Sequence, residues 1–430
     1  LEAARYNLFN LPSSAVLIDL LTDSGTSAMS AQQWSAMMSG DEAYAGSKSF
    51  EDLKAVVSEI MGFKHIIPTH QGRAAERILF GVLRDRQKKW PAKIPNNSHF
   101  DTTRANAEAM GFEAFDFPCE EYFDFSSNYP FKGNMNLKKL EDFLSSTPRD
   151  QIPIGFSTIT NNSCGGQPVS FANIKATAEL YKKYGIPFYL DACRFAENMA
   201  FIRKYEFPEM SPREIARKVF ELADGCTFSA KKDALVNIGG LLATNQDELV
   251  EDMTALLILT EGFPTYGGLA GRDLAAMAEG LKEVLEPDYL EYRLAVTRYL
   301  GEKLTAKNIP FLKPAGGHAI YLDAKGFLQH LEWNKYPGHA LALALYLEGG
   351  VRGCEIGSVM FGKKPDGSER AHTSELVRLA IPRRVYTQSH MDYVFEVIDY
   401  VFQQRHQING VEIVAEPQRL RHFSAAFAWK

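Results

Sequence analysis

Ile186-Pro-Phe-Tyr-Leu-Asp191 and, one strand–helix repeat later, Ser229-Ala-Lys-Lys-Asp233 decide how this chain is read. The first is a short apolar run that ends on a carboxylate, the pattern of a strand buried on both faces. A helical pattern from Ala172 to Tyr184 precedes it and is closed by Gly185 and Pro187, the glycine and proline expected just past a helix end. Gly225–Ser229 and Leu235–Thr244 read as two further short strands. Strands alternating with helices, with polar residues at the strand ends, predict an α/β layer around a mainly parallel sheet.

Upstream, Ser49 with Asp52 predicts a capped helix carrying Phe50, Leu53, Val57 and Ile60 at helical spacing. Thr69-His-Gln-Gly-Arg73 stands directly before a helix expected over Ala74–Gln87. A glycine turn opening a helix offers unpaired N–H groups and a positive dipole end, and Arg73 adds a charge, so this is a phosphate seat or an ordinary turn with a surface arginine. Downstream the pattern changes. A long helix over Tyr289–Lys307, strands at Ala319–Ala324 and Leu376–Pro382, and an amphipathic helix over Asp392–His406 predict a smaller α+β domain. The boundary is expected near residue 286, with a large domain over 23–286 and a small one from 1–22 and 287–430. No internal repeat is visible.

Composition narrows the function classes. The 430 residues hold 47 Lys+Arg against 53 Asp+Glu, well mixed, which argues against a nucleic-acid binder. The longest apolar run, Ala340–Leu347, is far below the ~18 residues of a membrane span. Five scattered cysteines with no CxxC pair fit neither a disulfide framework nor a zinc site, and predict reduced thiols in a cytoplasmic protein. Leu1–Arg5 lacks the basic-then-apolar order of a signal peptide.

A carboxylate leaving a buried strand is costly without a cationic partner. Asp191, with Arg194 three residues on, is therefore either half of a structural pair or an acid facing a protonated heterocycle. Ser229-x-Lys231-Lys232 alone is weak, since lysine pairs usually lie on solvated faces. Its occurrence one repeat after Asp191 matches the needs of pyridoxal phosphate (PLP): a lysine for the aldehyde, an acid for the pyridine nitrogen, and Ser with a glycine turn for the phosphate.

With these residues in hand, the chain resembles the β-eliminating lyases, the tryptophanase and tyrosine phenol-lyase family. The likeness covers nearly the whole chain and rests on Ile18–Thr26, Gly40-Asp-Glu-Ala-Tyr44, Pro68–Arg73, Gly165–Ser170, Glu261–Leu269 and Ile381–Thr387. It implies the PLP-dependent fold type I, like aspartate aminotransferase, and a homotetramer with shared active sites. It implies that Lys232 carries PLP and Asp191 holds the pyridine nitrogen. Arg194 would lie near the phenolic oxygen, Phe100 would stack on the ring, and Gln71, Gly72, Arg73 and Ser229 would bind the phosphate. Arg378, Asn162, Thr22 and Ser24 would surround the substrate carboxylate, where a guanidinium can meet both oxygens. Potassium would be held by Glu42, Asn237 and the Gly25 carbonyl. Tyr44 and Phe263 would reach in from a neighbouring subunit.

Three positions discriminate between the branches of the family. Ile356 and Asp101 replace the arginine and threonine that address a phenolic oxygen, and His422 resembles tryptophanase. A phenol needs a cation or donor at its oxygen, whereas indole needs an apolar wall and an acid. The resemblance therefore implies elimination of indole from L-tryptophan, with Asp101, Tyr44 and His422 assisting proton movement. The alternatives are a tyrosine phenol-lyase, a broader S-alkylcysteine β-lyase, or a catalytically silent PLP-binding protein. Ala74, Cys193 and Arg104-Ala-Asn-Ala107, the last without a histidine, depart from the family pattern.

Overall fold

Asp191 ends the third of five strands in one sheet of the computed structural model, which describes residues 1–363, 367–417 and 420–429. The strands are β1 (His65–Thr69), β2 (Gly155–Thr158), β3 (Phe188–Asp191), β4 (Gly225–Phe228) and β5 (Gly240–Thr244), in the order β1-β5-β4-β3-β2. β2, β3 and β4 pair in parallel, and β5 is antiparallel to both β4 and β1. Four of the five strands thus share a direction, and the expected mainly parallel sheet is present. Strands β2 to β5 are buried along their whole length, because helices cover both faces.

The chain forms two compact units. One comprises residues 24–124 and 129–293 and contains this sheet; the other comprises 1–23, 125–128 and 294–430. In the first, helix α1 (Gly72–Arg86) buries Ile78, Leu79, Phe80 and Val82, and α2 (Asp101–Ala109) connects the parallel pair Lys93–Asn96 and Glu113–Asp116. Helix α3 (Phe171–Lys183) and α4 (Phe195–Tyr205) flank β3 in sequence. Gly185 beyond α3 has φ +66°, as expected of a glycine that closes a helix.

Several element ends differ from expectation, each for a local reason. The helix expected from Ser49 spans Lys48–Met61 and is capped by Ser47, whose Oγ accepts from the Phe50 N–H. Ser49 is instead buried, and its Oγ donates to Asp41 at 2.7 Å. Leu235, expected to open a strand, has φ +55°, so the ladder of β5 begins only at Gly240.

In the second unit β6 (Ala319–Asp323), β7 (Cys354–Ile356) and β8 (Leu376–Ala380) form an antiparallel sheet in the order β7-β8-β6. Ala340–Leu345, from the apolar run seen in the sequence, is buried in the core helix Pro337–Gly349. Among the described residues no helix is long and apolar enough to cross a membrane. The helix expected over Asp392–His406 spans Gln388–Gln403; His390 Nδ1 accepts from the Thr387 N–H at 3.2 Å, so it starts earlier.

Candidate active site

The C-terminal ends of β3 and β4 set the chemistry of the first unit. Asp191 pairs in register with Thr158 and Thr227 and is 3% exposed. After β4 the chain turns through Ser229 into the short helix Ala230–Asp233, which carries Lys231 and Lys232. Facing this turn is the N-terminus of α1. A Cβ added at Gly72 would lie 2.7 Å from the Ser229 Cβ, and one at Gly240 would lie 2.6 Å from the Gly72 nitrogen. Only glycine lets the three backbones approach so closely. Gln71, Gly72, Arg73 and Ser229, expected to share a phosphate, are therefore brought together in space.

The electrostatics bind the same residues. The Lys231 ammonium is pushed below its ordinary acidity range by burial, then by the charges of Lys232 and Arg73. Three cations around a helix N-terminus make an anion seat. Glu76, one turn along α1 from Gly72, is 5% exposed. Thr103 Oγ1 donates to it at 2.6 Å and Asn106 Nδ2 at 3.0 Å. Its pKa is pushed up to about 7, first by burial and then by Asp191, while Lys232 pulls it down. The Cys193 thiol is pushed well up by burial and next by Asp191, against an opposing pull from Lys232. Asp191 and Lys232 thus act on the same neighbours. Sequence reading missed Glu76; its only signal is the four-residue spacing from Gly72.

This set fits PLP. The cradle at Gly72 with its cations suits the phosphate, a buried strand-end acid suits the pyridine nitrogen, and a lysine on the adjoining turn suits the aldehyde. Phe100 is half-buried at the N-cap of α2, directly before Asp101. Asn162 and Arg194 are buried, and the Arg194 N–H donates to the Ile159 carbonyl at the end of β2 at 3.3 Å. Tyr44, 67% exposed, stacks on Phe263 of the same chain with centroids 5.1 Å apart.

Of the three donors expected for potassium, two meet. Asn237 Nδ2 donates to the Gly25 carbonyl at 3.0 Å. The Glu42 carboxylate instead accepts from the Gly271 N–H at 2.8 Å and meets Arg272 at 3.2 Å. Ser24 precedes Gly25 in this loop, which the Gly25 N–H ties to the Lys231 carbonyl at 2.8 Å.

In the second unit Arg378 sits mid-strand in β8, opposite Cys354 and Tyr321, 7% exposed. Its Nη2 donates to the Leu21 carbonyl at 3.1 Å, next to Thr22. Ile356 closes β7 at 3% exposure. His422 lies edge-on to Phe9 and lines a cavity of about 10 Å³ with Cys354 and Glu355, on the strand that carries Ile356.

The solved structure of a serine palmitoyltransferase variant from S. paucimobilis with bound PLP–myriocin aldimine shares this fold at a TM-score of 0.62 and 12% identity, covering 91% of this chain and 88% of that one. The architecture is that of the PLP-dependent fold type I enzymes. The family described as beta-eliminating lyase matches residues 19–396, and the chain belongs to that family of PLP-dependent lyases. A tryptophanase of Salinibacter ruber is 56% identical over 98% of this chain and 89% of its own length. One of Hyphomonas neptunium is 56% identical over 99% and 93%. A tyrosine phenol-lyase of Pasteurella multocida is 46% identical over 99% and 93%.

Proposed function

We propose that this chain is a tryptophan indole-lyase, splitting L-tryptophan with water into indole, pyruvate and ammonia. The observation that carries the reading is Ile356, an apolar side chain where the resemblance to tyrosine phenol-lyase calls for a cation. The higher identity of the tryptophanases supports it.

PLP, when bound, supplies the electron sink that makes the substrate Cα–H acidic and lets the β-substituent leave. Lys232 anchors it and then takes the Cα proton as a neutral amine. Asp191 holds the proton on the pyridine nitrogen. Gln71, Gly72, Arg73 and Ser229 would bind the PLP phosphate, Phe100 would stack on its ring, and Arg194 would serve its phenolic oxygen. Arg378 takes the substrate carboxylate with Asn162, Thr22 and Ser24, leaving the side chain to Ile356 and Phe263. Asp101, Tyr44 and His422 move the proton that reaches the indole carbon. Potassium at Gly25, Glu42 and Asn237, a homotetramer with shared sites, and a cytoplasmic location complete the reading.

The test compares indole from tryptophan, phenol from tyrosine and pyruvate from S-alkylcysteine, with holoenzyme and potassium. Indole release with the highest kcat/KM is expected. Dominant phenol release would replace the reading with a tyrosine phenol-lyase, and pyruvate from S-alkylcysteine alone would replace it with a broader β-lyase.

A further inference from the structure

Two buried carboxylates of the second unit converge on one glycine. Glu355 and Glu375 are 5% and 3% exposed. A Cβ added at Gly357 would lie 2.6 Å from Glu375 Oε2 and 2.8 Å from Glu355 Oε1, so both acids reach into the same space. Their donors can be counted oxygen by oxygen. Glu355 Oε1 accepts from the Val359 N–H at 3.1 Å, and its Oε2 from the Met360 N–H at 3.2 Å. Glu375 Oε1 accepts from the Ser358 N–H at 3.1 Å and from the Ser358 hydroxyl. Glu375 Oε2 is buried and, among the described residues, receives no hydrogen bond. Two like charges cannot both persist so close in a dry site, and an unfed buried carboxylate oxygen is expensive. A proton solves both problems at once.

We propose that Glu355 and Glu375 share one proton across Gly357, and that this proton positions Ile356 as the wall of the leaving-group pocket. Ile356 lies between Glu355 and Gly357, and its strand pairs with Leu376–Arg378, which follows Glu375 directly. The shared proton therefore ties the specificity strand to the strand that carries the carboxylate arginine. The role of Ile356 rests on the function proposed above; the shared proton does not.

The surroundings are consistent with a neutral acid. Burial pushes Glu375 up to about 7, against hydrogen bonds from Ser358 and the Lys325 charge. Burial and the Glu375 charge push Glu355 well up, against Val359, Met360 and Arg421. Arg421 is itself engaged by Glu369 and Glu416. His339 and His422 line the small cavity beside Glu355, and the His372 N–H donates to Ser358 Oγ at 3.0 Å.

A carboxyl whose folded pKa is raised stabilises the fold fully below its unfolded value near 4.5 and loses that contribution as pH rises through about 7. Glu375→Gln, whose amide donates to Glu355 at every pH, removes this dependence. Between pH 5 and 7 the folding equilibrium of the wild type should fall relative to the variant by up to about tenfold per pH unit. The tryptophan KM of the wild type should rise severalfold over the same range relative to the variant, with kcat following one profile in both. Parallel stability profiles would overturn the shared proton. Diverging stability with parallel KM profiles would overturn the positioning of Ile356. Infrared titration in a Glu76→Gln background, which removes the other carboxyl raised to about 7, for a protonated carboxyl that persists near neutral pH tests the pair without altering it, and its absence would refute the proposal. A wild type that releases no indole would refute the tryptophan reading and the positioning of Ile356, while the stability and infrared results still decide the proton.

Discussion

Gly72→Ala tests the phosphate seat directly. The new methyl would lie 2.7 Å from the Ser229 Cβ, 3.1 Å from its Cα and 3.2 Å from its nitrogen. Two of these three atoms are backbone, so no rotamer change relieves the clash. Two effects oppose each other. Alanine favours a helix over glycine by at most ~1 kcal/mol, and less at a first helical position. Forcing a methyl into a packed site costs ~1–3 kcal/mol. The clash should win by about 1–2 kcal/mol, because α1 and the Ser229 turn must move apart. That movement displaces the N–H groups proposed to hold the phosphate, and each 1.4 kcal/mol lost there weakens binding about tenfold. Titration of the apoenzyme with PLP, followed by absorbance, should show affinity at least about tenfold lower. Gly185→Ala is the control, since its φ is +66° but the nearest atom to a new Cβ is Arg149 Nε at 3.7 Å. It should lose about 1 kcal/mol of stability to backbone strain and no PLP affinity. Wild-type PLP affinity in Gly72→Ala would refute the reasoning.

Glu76→Gln should be stabilised relative to the wild type at pH 8 compared with pH 5. The raised Glu76 stabilises the fold below about 4.5 and loses that contribution as pH rises through about 7; thermal melts at the two pH values check the sign. Arg293→Met should cost ~3–5 kcal/mol in chemical denaturation, because Glu197, 1% exposed and 3.1 Å away, keeps a buried charge. Adding Glu197→Leu should recover most of that loss; a further loss would show that the pair matters beyond its charge. Ile356→Arg with Asp101→Thr should raise the tyrosine-to-tryptophan ratio of kcat/KM by about tenfold or more, read as phenol and indole release.

What the sequence discloses here depends on whether a signal is local. The strand ending at Asp191 is legible because an apolar run between a helix stop and a carboxylate has few other uses. Its start is less so. Pro187 has no N–H, and the Ile186 N–H donates to the Tyr181 carbonyl at 2.9 Å, so the ladder begins only at Phe188. Residues 125–128 join the second unit although they lie far from its other segments in sequence; the Lys313 N–H, donating to the Phe125 carbonyl at 2.9 Å, marks that tie. No composition change announces it.

Site residues divide the same way. That Gln71, Gly72, Arg73 and Ser229 come together is readable because a turn before a helix and a turn after a strand each have a local pattern, and the proposed phosphate chemistry links the two. Glu76 is not, since a glutamate at helical spacing looks the same whether it meets water or a buried strand end. Glu355 and Glu375 are harder still. Their proximity comes from the antiparallel pairing of β7 with β8 and from the absence of a side chain at Gly357, neither of which has a period. Glu42 shows how much packing adds. Its place in a family stretch suggests a cation ligand, and the fold adds a second partner that no local pattern announces, the Gly271 N–H at the start of Gly271–Glu283, where a helix N-terminus attracts a negative charge. For a carboxylate, then, the chain's own letters fix the chemistry available, and only the partners delivered by tertiary packing decide whether it caps, shares a proton or catalyses.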